Sequence, residues 1–129
     1  MARTSRKLAE GRPTIEVRVE IATRTVGQAT VVDATGPLKL GQAAETFRAA
    51  IEQLLEAGSK NLAINLASVP ELDSTGIGEL LRTHAAAKTA GGKCVFFSLC
   101  DRVRRTLEMV RMEKILALAD DEASALAAF

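Results

Sequence analysis

The feature that most constrains the fold is a repeated change of hydrophobic period along the chain. Ile15, Val17, Val19 and Ile21 alternate with Glu16, Arg18 and Glu20, the period of two of a strand with one wet face. Gly27-Gln28 permits a turn, and Ala29 to Asp33 is a short β-branched run, so the two segments read as neighbouring strands or a hairpin. Thr35-Gly36-Pro37 breaks that pattern. From about Gly41 the period becomes helical: Phe47, Ile51, Leu54 and Leu55 share a face, and Gly58 marks a stop. Leu62 to Leu66 is a short apolar strand relieved only by Asn65. Ile77, Leu80, Leu81 and Ala85 define the next helical face, which ends at Gly91-Gly92. Cys94 to Leu99 is apolar throughout, as expected of a strand covered on both faces. Val103, Leu107 and Val110 mark a third helix, and Glu122 to Ala128 a last helical segment.

This order, two strands followed by alternating helices and strands, predicts an α/β domain with parallel crossovers and an antiparallel first strand. A chain of 129 residues suits one such domain. Residues 1–13 hold Arg3, Arg6, Lys7 and Arg12 against Glu10, a net of +3, which leaves −2 for the rest of a chain whose total is +1. They are expected to form a flexible basic arm ahead of a domain over 14–129.

Composition removes several function classes. Near-neutral charge, no Trp or Tyr and only four Phe argue against direct DNA or single-strand nucleic-acid binding. No apolar run reaches the length of a bilayer span, so membrane insertion is not expected. Cys94 and Cys100, taken as one strand, point to the same face about 20 Å apart, too far for a disulfide. They read as buried thiols of a reducing compartment, the cytoplasm.

The chemistry concentrates in Val69-Pro70-Glu71-Leu72-Asp73-Ser74-Thr75-Gly76-Ile77-Gly78, where strand gives way to helix. Ser74 as a nucleophile would need a base, and the single His, His84, lies about 15 Å further along the same helix. The third glycine of a dinucleotide fingerprint and the Gly-Lys-Ser/Thr of a P-loop are both missing. One His and two ill-spaced Cys do not make a zinc site. The expectation is therefore no enzyme, no metal and no cofactor. Two compatible roles survive: Asp73 or Ser74 as helix cap, and Ser74, ahead of Thr75, as a phosphate acceptor at a helix start that tolerates negative charge. Gly76 and Gly78 would leave the first helical turn bare for a partner.

With Leu62 to Val69 before it, and Ala90-Gly91-Gly92-Lys93 ahead of the Cys94 strand, Leu72-Asp73-Ser74-Thr75-Gly76-Ile77-Gly78 resembles the STAS family over residues 15 to 129. That family comprises bacterial anti-sigma factor antagonists and the tails of sulfate transporters. The resemblance implies a mixed sheet of about four to five strands with helices mainly on one side. It also implies phosphorylation of Ser74 by a serine kinase that doubles as anti-sigma factor, and resetting by a serine phosphatase. Asp73 would present Ser74, and Thr75, Gly76 and Ile77 would meet the partner. The family's acidic turn after the second strand is here Gly36-Pro37-Leu38-Lys39, which reverses its sign and adds Lys39 to the partner-binding set. The alternative is a docking subunit of the same fold that binds constitutively in a signalling or lipid-transport complex.

Overall fold

The structure, a computed structural model, describes residues 18–129. The expected basic arm, its boundary at residue 13, and Ile15 and Val17 of the first alternating run lie outside the described residues. Strands β1 (Glu20–Val26) and β2 (Ala29–Thr35) form an antiparallel hairpin. Its two-residue turn, Gly27-Gln28, needs a positive φ at the first position, and Gly27 supplies 61°. The turn fixes the register from Val26↔Ala29 back to Glu20↔Thr35. It also moves the strand: the alternation placed it over 15–21, whereas β1 continues through Arg24-Thr25 to Val26. Arg24 is held outside by Asp33 on β2 and by Glu122, with Nε to Asp33 Oδ2 at 2.9 Å.

Helix α1 (Gln42–Glu56), β3 (Asn61–Ser68), α2 (Ser74–Thr89), β4 (Lys93–Phe97) and α3 (Asp101–Met109) follow. After a 3₁₀ turn at Met112–Lys114 come β5 (Ala117–Ala119) and α4 (Glu122–Leu126). The five strands stand in the order β1-β2-β3-β4-β5, antiparallel at the first pair and parallel at the other three.

Strand periodicity decides which residues meet which helices. Val32, Ala34, Leu62, Ile64, Leu66, Cys94 and Phe96 face one way and pack with Phe47 and Ile51 of α1, Leu80 and Ala87 of α2, and Val103 and Leu107 of α3. Val31, Ala63, Val95 and Phe97 face the other way, where Ala125, Leu126 and Phe129 cover them. Three helices thus lie on one side of the sheet and the short α4 on the other. Asn65, the polar residue of β3, is satisfied at the rim: its Nδ2 donates to Asp33 Oδ1 at 2.8 Å, and its Oδ1 accepts from the Ala67 amide at 3.0 Å.

Four sequence expectations need correction. Leu81 and Ala85 do not join the buried stripe of α2. They line an open depression with Leu55 and Gly78, while Glu79 and Thr83 are buried in their stead. Val110 caps α3 and is exposed. The Cys94 run ends as a strand at Phe97, with Ser98 at φ 59°, so Cys100 is the N-cap residue of α3, half-buried beside the Val69 and Pro70 carbonyls. The element order also omitted β5, whose three residues are too short to show a period. Burial pushes the Cys94 thiol well above its usual pKa, in keeping with a packing role.

Candidate functional site

Because β2 and β3 are parallel, the loops leaving them emerge at the same end of the sheet and run side by side. The Gly36 amide donates to the Ser68 carbonyl at 2.9 Å and the Leu38 amide to the Glu71 carbonyl at 3.1 Å. Leu38 and Leu72 form a parallel bridge beyond the named strands. Lys39 is thereby brought beside the stretch that opens α2.

Asp73 is the cap. Its backbone is extended, at φ −107° and ψ −172°, and its Oδ1 accepts from the Gly76 amide at 2.8 Å. Its second oxygen, Oδ2, accepts from the Leu40 amide at 2.8 Å, so one carboxylate closes the helix start and ties down the facing loop. Burial pushes the Asp73 carboxyl up, but the amides of Leu40, Gly76 and Thr75 together outweigh it and hold its pKa below the usual value.

With Asp73 capping, Ser74 is the first helical residue, exposed, and its hydroxyl takes no part in the cap. Thr75 and Ile77 are half-buried, and Ile77 packs against the main core. Gly76 does not leave the helix start bare: it is buried, and a Cβ there would come within 2.1 Å of the Leu38 carbonyl oxygen. Its missing side chain admits the neighbouring loop. Gly78 is exposed, with nothing within 4 Å of a built Cβ, so it alone of the two leaves open space.

Three residues at this end escaped the sequence reading. Leu40 is 77% exposed, an apolar side chain on the residue whose amide is bound by Asp73. Glu71 sits between two cations, with Oε2 3.2 Å from Lys39 Nζ and Oε1 3.1 Å from Arg102 Nη2. Arg102 arrives from the first turn of α3, and no local spacing could have placed it there. Behind the site, Arg48 of α1 bridges to the buried Glu79 of α2, its Nε 3.1 Å from Oε2, which joins α2 to α1. His84 lies at the other end of α2 among Lys88, Lys93 and Cys94, away from Ser74. Among the described residues no helix is long and apolar enough to cross a membrane.

Solved structures share this architecture. An anti-sigma factor antagonist from Mycobacterium paratuberculosis superposes with a TM-score of 0.76 at 20% identity, covering 90% of this chain and 97% of that one. The Bacillus cell fate determinant SpoIIAA in its phosphorylated form gives 0.64 at 18% identity, covering 85% and 100%. A sulfate transporter family protein from Wolinella succinogenes gives 0.69 at 20%, covering 81% and 88%. At these identities what is shared is the fold. The family model of the STAS domain matches residues 20–125, from the first residue of β1 into α4, and the chain therefore belongs to the STAS domain family.

Proposed function

We propose that this chain is an anti-sigma factor antagonist that acts by binding and catalyses nothing itself. Its partner is a serine-kinase anti-sigma factor, met at the start of α2 through Lys39, Asp73, Ser74, Thr75 and Ile77, with Leu40 projecting beside them. The kinase phosphorylates Ser74, a serine phosphatase removes the phosphate, and both work in the cytoplasm. The observation that carries this reading is the division of labour at the helix start. Asp73 spends both carboxylate oxygens on the cap and the facing loop, which leaves the Ser74 hydroxyl exposed and free to be modified. Similarity to antagonists of this fold, one of them solved in a phosphorylated form, supports the same reading.

The similarity to a sulfate transporter family protein favours a second reading, a constitutive docking subunit in a signalling or transport assembly. The two separate in one experiment. The protein is incubated with the cognate kinase and ATP, phosphate is mapped by mass spectrometry, and kinase pull-down is compared for Ser74→Ala and Ser74→Asp. The switch predicts label on Ser74 and recovery lost only with Asp. Equal recovery of both variants, with no label, establishes the docking subunit instead.

A further inference from the structure

Glu71 is one carboxylate serving two cations drawn from different parts of the chain. Lys39 comes from the loop after β2, and Arg102 from the first turn of α3. The three side chains carry a net charge of +1, and Glu71, which joins them, lies three residues before the proposed phosphate acceptor. Lys39 is held in place by its neighbours on both sides: the Leu38 amide bonds to the Glu71 carbonyl, and the Leu40 amide bonds to Asp73. The Lys39 and Arg102 side chains are 39% and 70% exposed, so neither is locked into its pairing by burial. The other acids at this end do not compete for them. Asp73 is committed to backbone amides, and among the described residues Asp101 forms no ion pair with either cation.

A phosphoserine brings about −1.5 to −2 charges and three strong acceptor oxygens. Against it a single carboxylate is the weaker ligand for an ammonium and a guanidinium. From this geometry we infer that, once Ser74 is phosphorylated, Lys39 and Arg102 leave Glu71 and close on the phosphate. The inference rests on the reading of Ser74 as the phosphate acceptor. The reversed sign of the 36–39 turn then has a use. The phosphate is drawn inward and partly neutralised, the two loops and the start of α3 are joined across it, and Glu71 is released as a bare carboxylate on the partner face. The modified surface differs from the unmodified one by a displaced acid as well as by an added phosphate.

The test places phosphoserine at position 74 during translation, which removes any need for a kinase. Its second ionisation is then followed by ³¹P NMR in the otherwise wild-type chain and in the Lys39→Ala/Arg102→Ala double variant. Both truncations are at partly exposed side chains, and the unphosphorylated double variant is checked for a cooperative melt. The helix start lowers the ionisation in both chains, so only the difference reports on the cations. The wild-type chain should ionise at least about half a pH unit below the double variant, and closer to it as salt rises. Identical titrations overturn the inference. Kinase labelling of Ser74 with identical titrations would leave the switch standing and remove the clamp. A clear difference in a chain that no kinase labels would support the clamp and remove the switch.

Discussion

Two glycines two positions apart in α2 answer to different constraints. At Gly76 the Leu38 carbonyl oxygen occupies the space of a side chain, and because both groups are backbone, neither can step aside cheaply. Gly76→Ala should therefore cost about 1–3 kcal/mol, the range of overpacked sites, by prising the 36–40 loop from the helix start. At Gly78 the same methyl meets nothing, and Ala in a helix is worth roughly 0.5–1 kcal/mol over Gly. Urea titrations of the two variants should move in opposite directions from wild type. A stabilised Gly76→Ala would mean that the loop does not rest on the helix. Asp73 as cap could be anticipated from its type and position. Its second bond, to Leu40, could not, because it depends on a loop 33 residues earlier in the chain.

At the level of elements, α2 shows how a charged residue can mislead a periodicity argument. The side chains that enter the core are Leu80, Thr83 and Ala87, with Glu79 beside them and Leu81 outside. An acid in that stripe looks solvent-facing until its partner is known, and Arg48 on α1 is that partner. Removing the partner is worse than removing the acid, since a buried carboxylate without a cation keeps its full desolvation cost. Arg48→Ala should thus lower the urea midpoint clearly, with only Arg82 left, 3.7 Å from Glu79. Glu79→Met, which fills the site with apolar atoms and leaves Arg48 to water, should stay near wild type. Equal losses in the two variants would show that the pair matters only through packing. The helices α1 to α4 were legible from their period, and β2, β3 and β4 as short apolar runs bounded by turn residues. β5 was hidden by its length, and β1 was shifted because the hairpin turn, rather than the alternation, sets its register.

For the whole molecule, acid sensitivity comes from a few carboxylates that tie distant parts together. The Arg24 guanidinium, then Asn65, hold Asp33 below its usual pKa, and Arg24 does the same for Glu122. Amides lower Asp73, and the Ser124 amide lowers Asp121. A carboxyl with a lowered folded-state pKa stabilises the protein above its unfolded value, near 4. That contribution is lost as pH falls through the folded value. Urea midpoints should accordingly hold from about pH 7 to 5 and fall below about 4. The decline should be shallower in Arg24→Gln, where Asp33 and Glu122 no longer have a cation to lose. An unchanged acid limb in that variant would separate these pairs from acid stability.

The strand order repeats the chain order, and this bears on how the molecule is made. The hairpin β1-β2 forms from adjacent residues, and each later strand pairs with the strand that preceded it in the chain. As a ribosome releases the chain from its N-terminus, each strand from β2 onward would thus find its neighbour already made, and the sheet would grow at one edge only, the edge that the next unit covers. The surface around Ser74, built from the loops after β2 and β3 and the start of α3, is complete before β5 and α4 have been added.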